Sequence, residues 1–454
     1  YKGRYTVNGT IRYEGTNKLG KSRTARWLPT WNVSAAWNAH EESWWAPTFD
    51  KWWTHASLKA SYSLTADRGP TSVTNSLAVF ESYTPFRPST NASETGIQLS
   101  DLENSELTYE KKHELNIGVA FGFVDNRINL EFDWYKRNNY DLIGFVQTMG
   151  VGGQVTKLAN DATMSSQGCE FTFSTVNVKT RDFRWTTDWI FSWAENKITK
   201  LDSRSQIYQL VSGTALGRLE GYPVGALFSI PFAGLTEEGL PTFYIDKEHT
   251  QVVGPGQYDQ INFQDYQNVD YLTYEGSIDP TITGSFGNTF SWKGLKLNVF
   301  FTYSFGNVLR LDPLCYVYKS EYSDLTASMK EMKNRWEVPG DEAITTIPAI
   351  ATTRQFDQIS NLQDAYSAYN YSTERVAKGD FIRLKELSLA YDLPAKVFEG
   401  QKAVSSFGVK LSATNLWLAY ADKKLNGRDP EYYNAGGVSS PVPRQFTLTV
   451  KLGF

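Results

Sequence analysis

Cysteine and histidine are scarce in this chain of 454 residues. The two cysteines, Cys169 and Cys315, lie far apart and have no metal-ligand spacing, so a disulfide framework or zinc site is not expected. Both are predicted to be free thiols. The four histidines are also scattered, and His113 is predicted to be an interface residue at the start of a strand rather than a base. No metal site is predicted.

The chain also lacks an excess of positive charge and a long apolar run. Its 45 Lys and Arg residues are offset by 49 Asp and Glu residues, a formal charge of -4, so nucleic acid is not an expected partner. The sequence contains no run of 18 apolar residues, which excludes a transmembrane helix. A mean hydropathy of -0.41 would suit a soluble protein. Membrane β-barrels share such values, because only alternate strand residues face lipid.

Catalytic signatures are missing as well. The sequence has no nucleophile elbow, no phosphate-cradling glycine loop and no paired carboxylates in a recognisable context. The stretch 150–153, Gly-Val-Gly-Gly, is followed by no helical pattern, so it is predicted to be a loop rather than a nucleotide site. We therefore predict no catalytic residues, no cofactor and a function in binding.

Alternating strands are what the sequence does contain. In the last ten residues one face is apolar and the other carries Thr447, Thr449 and Lys451. The apolar positions are Phe446, Leu448, Val450, Leu452 and Phe454. The same pattern predicts about twelve strands of roughly ten residues each. They lie near 4–13, 31–39, 56–64, 113–124, 127–137, 167–176, 183–193, 281–292, 295–303, 381–391, 404–415 and 445–454.

The connections between these strands alternate strictly in length. The short ones are 40–55, 125–126, 177–182, 293–294 and 392–403, and the long ones are 14–30, 65–112, 138–166, 194–280, 304–380 and 416–444. Short turns at one end and long loops at the other are typical of outer-membrane barrels, with periplasmic turns and extracellular loops. The fold class predicted is all-β, an antiparallel transmembrane β-barrel with a periplasmic C-terminus.

Aromatic residues, 15% of the chain, fit this interpretation. The tryptophans of 40–55 are predicted to lie in the membrane-interface belt, although they could instead cover the edge of a soluble sheet. Lipid-facing positions are expected to include Phe121, Phe132, Trp134 and Val450. A secreted all-β carbohydrate-binding module, such as a lectin-like sandwich, is the alternative class that composition leaves open.

Ordered sequence blocks point to a family. The longest, 379–391, reads Gly-Asp-Phe-Ile-Arg-Leu-Lys-Glu-Leu-Ser-Leu-Ala-Tyr. Further blocks are 12–17, 28–30, 36–37, 58–63, 107–118, 220–225, 335–341, 415–416 and 427–431. In order and spacing they resemble the SusC/RagA family, the TonB-dependent outer-membrane transporters of Bacteroidetes. Departures from the family pattern occur at Gly20, at Lys21 and over 167–170.

The resemblance implies more than a fold. Residues 1–454 would be the C-terminal portion of a barrel of about 22 strands with a plugged lumen, and the N-terminal plug and first strands would be absent. Energy would come from TonB-ExbB-ExbD through that missing region, and a SusD-like lipoprotein would close the extracellular mouth. The implied location is the outer membrane of a Gram-negative bacterium. The implied function is import of oligosaccharides, with oligopeptides as the alternative and a non-transporting SusC-like accessory subunit as a third possibility.

Loop aromatics are the candidate cargo-binding residues, because their rings offer an apolar face and a polar tip. The alternative for each ring is that it packs one loop against another. The candidates are Tyr258, Phe263, Tyr266, Tyr316, Tyr322, Tyr366 and Tyr369.

Overall fold

The computed structural model describes residues 1–49, 51–69, 77–84, 95–150, 155–213, 217–314, 330–398, 404–433, 441 and 443–454. The chain divides into two compact units. The first comprises Tyr1–Val178, Thr186–Arg204 and Glu220–Tyr222. The second comprises Lys179–Trp185, Ser205–Leu219 and Pro223–Phe454.

The first unit is built on long strands in the order β1-β2-β3-β6-β7-β8-β9. These are β1 (Tyr5–Gly15), β2 (Trp27–Asn38), β3 (Trp53–Asp67), β6 (Glu110–Phe123), β7 (Ile128–Gln147), β8 (Thr156–Lys179) and β9 (Phe183–Leu201), the last two with their joined ends in the second unit. A separate hairpin pairs β4 (Val79–Tyr83) with β5 (Gly96–Asp101). Two short helices are α1 (Arg23–Arg26) and α2 (Trp45–Phe49).

The second unit contains the long strands β15 (Ile282–Trp292), β16 (Leu295–Phe305), β19 (Phe381–Asp392), β20 (Ser406–Ala421) and β21 (Gln445–Gly453), which are neighbours in that order. Its remaining elements are α3 (Ile207–Val211), β10 (Ala226–Ser229), β11 (Phe232–Leu235), β12 (Pro241–Tyr244), β13 (Val252–Val253), β14 (Thr273–Ser277), β17 (Val308–Arg310), α4 (Thr353–Gln358), α5 (Leu362–Asn370) and β18 (Val376–Lys378). They form small sheets β10-β14, β11-β12-β13 and β17-β18.

Cross-strand register places like residues on one face in the second unit. Leu297, Leu389, Leu411 and Leu448 are successive partners across β16, β19, β20 and β21. The adjacent row on the opposite face is polar: Asn298, Ser388, Ser412 and Thr447. Successive residues of a strand point to opposite faces, so neighbouring rows of the ladder lie on opposite faces of the sheet. The apolar positions of β21 are more than half exposed, as an outward face requires.

The first unit shows the same division. Leu58 pairs with Val119, Val119 with Phe132, and Phe132 with Phe171, so an apolar row crosses β3, β6, β7 and β8. Phe171 also contacts Trp189 of β9 edge to face, with ring centroids 5.2 Å apart. The prediction of an all-β antiparallel fold with about twelve long strands is confirmed by the described part of the chain.

One predicted loop is largely strand. The range 138–166 was expected to be a long connection, but β7 continues to Gln147 and β8 begins at Thr156. Their ladder runs on from Leu142–Ala162 to Gln147–Thr156 past an irregularity at Asp141, which has φ 58°. Backbone hydrogen bonds do not require the apolar alternation on which the prediction depended. Both strands therefore extend through sequence that lacks strict alternation.

Short turns conform better to expectation. Lys293 and Gly294 join β15 to β16 with φ values of 45° and 91°, the left-handed geometry of a two-residue hairpin turn. Asp125 and Asn126 are also left-handed, as predicted, and Val124 shares that conformation. The 40–55 segment contains a tryptophan cluster in which Trp45 is buried, and its indole N–H donates to the Trp53 carbonyl at 2.9 Å. No helix within the described ranges is long and apolar enough to cross a membrane.

Candidate functional site

Three of the predicted cargo-binding rings lie inside the second unit. Tyr258, Tyr366 and Tyr369 are each almost fully buried. The Tyr258 hydroxyl donates to the Pro241 carbonyl at 2.8 Å, and the Tyr366 hydroxyl donates to the Ala349 carbonyl at 2.6 Å. Burial raises the pKa of Tyr258, which keeps its hydroxyl protonated. These contacts favour the alternative role, in which such rings pack loops together.

The other four predicted rings differ in exposure or lie outside the described residues. Phe263 is half-buried, whereas Tyr266 keeps 40% of its surface exposed. Tyr316 and Tyr322 lie outside the described residues, as does Cys315. The structure therefore leaves Phe263 and Tyr266 as the predicted rings that solvent can reach among those described.

A group of rings not predicted together surrounds Phe263. Tyr371, at the end of α5, contacts Tyr208 of α3 with ring centroids 6.0 Å apart and planes at 89°. Phe263 meets the same Tyr371 ring at 5.9 Å and 69°. We call Tyr208, Phe263 and Tyr371 the ring corner. Three separated segments of the chain contribute to it, so sequence spacing alone gave no signal for it.

Arg310 joins the segments behind the ring corner. Its guanidinium donates to the carbonyls of Val211, Phe228 and Ser372 at 3.2, 2.6 and 2.8 Å, and to the Ser229 hydroxyl at 3.0 Å. Burial lowers the pKa of Arg310 to about 10, while the negative charge of Glu275 opposes that shift. The residue remains a cation at neutral pH. One side chain thus connects α3, β10, β17 and the segment after α5.

Ion pairs connect the later loops of the second unit. Arg375 is buried, and its guanidinium donates to Glu331 Oε2 at 2.6 Å and to the Asp312 carbonyl at 2.7 Å. Arg428 pairs with the Asp312 carboxylate. Charge-assisted bonds of this kind are stronger than neutral ones and hold loops in one arrangement. Sequence reasoning gave these arginines no structural role, since arginine is ordinarily exposed.

A polar groove of about 460 Å³ lies on the hydrophilic face of β15, β16, β19, β20 and β21. Its charged lining residues are Lys296, Glu386, Asp392, Lys410 and Lys451. Lys410 Nζ lies 3.3 Å from Glu386 Oε1. Lys451 was predicted on this face from alternation alone, and the register places it opposite Gly408.

Metal and thiol chemistry find little support in the described ranges. They contain no group of three or more His, Cys, Asp or Glu residues that could hold a metal ion. His40 and His55 have ring centroids 4.2 Å apart, and His40 Nδ1–H donates to the Ala56 carbonyl at 2.9 Å. His113 Nδ1 lies 3.1 Å from the Tyr62 hydroxyl. Cys169 is a free thiol, as predicted.

The amino-acid sequence of the chain is similar to those of several TonB-dependent receptors. A TonB-dependent receptor of Formosa agariphila is 26% identical to the chain over 485 aligned residues, covering 100% of the chain and 44% of the receptor. The TonB-dependent receptor SusC of Bacteroides thetaiotaomicron is 22% identical and covers 77% of the chain and 32% of SusC. No protein-family model matches the chain.

A structure of the RagAB peptide transporter has the same fold. It superposes with a TM-score of 0.74 and 22% identity, covering 99% of this chain and 46% of that one. The RagAB peptide importer in its 'open-open' state gives a TM-score of 0.74, 23% identity and 99% coverage of this chain. The chain thus spans less than half the length of the relatives it matches.

The described strands thus share the antiparallel all-β fold of an outer-membrane transporter, and the chain is similar in sequence to TonB-dependent receptors. The resemblance inferred from the sequence blocks is confirmed. The chain is similar to TonB-dependent receptors over its whole length and to SusC over 77% of it.

Proposed function

We propose that the chain forms part of an outer-membrane nutrient importer whose long loops bind an oligomeric cargo. The observation that carries this proposal is the alignment of the entire chain with TonB-dependent receptors, together with the shared fold of the RagAB transporter. The relatives are receptors and transporters, which supports import rather than catalysis. Energy would come from TonB-ExbB-ExbD, and a SusD-like lipoprotein would cover the extracellular mouth.

Oligosaccharide is the cargo class we propose first. Phe263 and Tyr266 are accessible rings, and the same segment carries amides and carboxylates, which suit hydroxyl-rich ligands. Oligopeptide is the second candidate, and one observation favours it: the matched RagAB structures are those of a peptide transporter. Both candidates require long loops on the extracellular side and a periplasmic C-terminus.

Uptake by cells tests the proposal. A deletion strain of the native host is expected to lose growth on one class of oligomer, supplied as defined oligosaccharides or as a tryptic casein digest. Dissipating the proton-motive force should abolish the same uptake in wild-type cells, because TonB-driven import requires it. A complementing Tyr266→Ala allele is expected to raise the concentration needed for half-maximal uptake. Unchanged growth of the deletion strain on every oligomer would refute import.

Protein partners provide a second test. Affinity purification of the complete protein from solubilised outer membranes should recover a SusD-like lipoprotein in stoichiometric amount. Recovery of a different assembly without that lipoprotein would instead support the accessory-subunit alternative.

A further inference from the structure

The ring corner remains accessible to solvent although three separate segments of the chain hold it in place. Tyr208 keeps 49% of its surface exposed, and Phe263 and Tyr371 are half-buried. The planes of Tyr208 and Tyr371 are perpendicular, so the two rings do not cover each other face to face. An apolar ring face therefore remains open to a ligand.

Backbone hydrogen bonds hold the segments that carry the three rings. The amide of Tyr208 donates to the Phe263 carbonyl at 3.0 Å, and the amide of Ile207 donates to the Asp265 carbonyl at 2.9 Å. The Tyr371 carbonyl accepts from the Ile230 amide at 3.0 Å. Rings held in place before binding lose little conformational freedom when a ligand arrives, which is how preorganised sites gain affinity.

Arg310 provides a second support for the same rings. It donates to the Val211 carbonyl at the end of α3 and to the Ser372 carbonyl next to Tyr371. The segments that carry Tyr208 and Tyr371 are therefore joined through one cation. Random exposure of single aromatic residues is common on protein surfaces. Three rings from separate segments, connected by five backbone or guanidinium contacts, form a built arrangement.

The polar groups of the corner are neutral. Burial raises the pKa of Tyr371, and the neighbouring Tyr208 phenol adds to that shift. Beside them, Asn262 and Asp265 each use a side-chain oxygen to accept from the amides of Gln264 and Gln267 at 3.0 and 2.8 Å. The corner thus offers flat apolar faces and two uncharged hydroxyl groups to a ligand.

We propose that Tyr208, Phe263 and Tyr371 form a subsite that binds a sugar ring of a neutral oligosaccharide. The C–H face of a pyranose matches the open ring face, and its hydroxyl edge matches the neighbouring phenols. This inference rests on the proposed import function and names the cargo class for one site within it. A peptide would have to place a proline or aromatic side chain in the same corner.

Titration calorimetry on the complete protein in detergent tests the subsite. The probes are neutral gluco-, xylo-, manno- and galacto-oligosaccharides and, separately, a tryptic casein digest. At least one oligosaccharide is expected to bind. Tyr208→Ala should weaken its binding by about fivefold or more, the usual effect of removing a well-placed aromatic contact. Tyr208→Phe, which keeps the ring, should retain most of the affinity.

Tyr244→Ala is the matched control, because Tyr244 stacks on His249 at 4.9 Å outside the corner. Its affinity should equal that of the wild type, and heat-modifiable mobility on gels should confirm that every variant is folded. The subsite proposal is overturned if no oligosaccharide binds at millimolar concentration, or if Tyr208→Ala binds as well as wild type. Binding of the casein digest alone would overturn the sugar subsite while leaving the import function standing, since uptake is measured independently.

Discussion

Arg383, near the start of β19, forms a buried ion pair with Asp429, 46 residues further along the chain. Only 6% of the Arg383 side chain and 9% of the Asp429 side chain is exposed. Arg383 Nε lies 3.3 Å from Glu431 Oε2, so one guanidinium holds two carboxylates. These residues belong to the blocks 379–391 and 427–431 that suggested the family. The structure shows that the two blocks are linked by direct contact.

Loss of either partner should be costly, because the remaining buried charge would lose its buried counter-ion, and Arg383 would keep only the more exposed Glu431. Arg383→Met and Asp429→Leu are each expected to lower the free energy of unfolding by about 3–5 kcal/mol. The double variant should lose less than the sum, since both charges are then gone. Urea unfolding of the complete protein in detergent measures the change.

The exposed pair of Arg12 and Glu14, 3.0 Å apart on β1, is the control for this prediction. Arg12→Met should cost at most about 1 kcal/mol, because solvent screens exposed pairs. Equal losses for Arg12→Met and Arg383→Met would show that burial contributes nothing to the Arg383 pair.

Strand prediction succeeded where alternation is enforced by the environment. Along β21, the apolar residues from Phe446 to Leu452 share a face, and the register with β20 follows from that pattern. The turn at Lys293 and Gly294 was also predicted from the sequence, because glycine is the residue that most readily adopts left-handed backbone geometry. Strand ends were less predictable, as β7 and β8 show, since ladder bonds extend through sequence without strict alternation.

For the loops, the sequence predicted only that aromatic residues are frequent, and not which of them are buried. Tyr258 and Tyr208 are both loop-region tyrosines next to a glutamine, yet the first is buried and the second is half exposed. What separates them is contact with segments distant in sequence, such as the Pro241 carbonyl for Tyr258. Arg310 connects segments up to 99 residues away, which no local pattern reveals. The candidate site therefore required the tertiary structure.

Gly294 provides a test of the hairpin between β15 and β16. Its φ of 91° is unfavourable for other residues, and an added Cβ would lie 2.5 Å from the Asp392 carbonyl oxygen. Gly294→Ala should therefore destabilise the protein by about 1–3 kcal/mol. Gly9→Ala on β1 is the control, because no atom lies within 4 Å of its added Cβ. The prediction would be contradicted by identical urea midpoints for the two variants.

Val450 tests whether the apolar face of β21 contacts lipid. Val450→Arg should reduce insertion by about 2–4 kcal/mol if the residue lies near the membrane midplane. Thr449→Arg, one residue away on the opposite face, should assemble normally. The measurement is the fraction of heat-modifiable protein in outer-membrane preparations. If both variants assemble equally well, the assignment of the two faces is wrong.

Asp246 should make one turn sensitive to acid. Its carboxylate accepts from the amides of Thr250 and Gln251, and these bonds lower its pKa to about 2. Because the folded-state pKa is depressed, the contribution of the carboxylate is complete above about pH 4, the ordinary range for aspartate. It is lost as the pH falls through about 2. Hydrogen exchange of 246–251 should be slower in wild type than in Asp246→Ala at pH 5, and the difference should vanish near pH 2. A difference that persists unchanged at the lower pH would exclude the carboxylate as its cause.

Tyr258 and Tyr266 separate packing from cargo contact. Tyr258→Phe removes a buried hydroxyl and leaves the Pro241 carbonyl without that donor, so it should cost about 1–3 kcal/mol of stability. Its affinity for cargo should not change, because the ring is enclosed by protein. Tyr266→Ala should leave stability nearly unchanged and lower the affinity for cargo. Removing an exposed ring is expected to alter stability by less than about 0.5 kcal/mol.

Cargo affinity of Tyr266→Ala should fall by about fivefold if the ring contacts cargo. Urea midpoints and calorimetric titration with the oligomer that supports growth provide both quantities on the same preparations. The two tyrosines lie eight positions apart in one loop segment, so each variant serves as the control for the other. Reduced affinity in Tyr258→Phe with unchanged affinity in Tyr266→Ala would reverse the assignment and place the cargo against the buried ring instead.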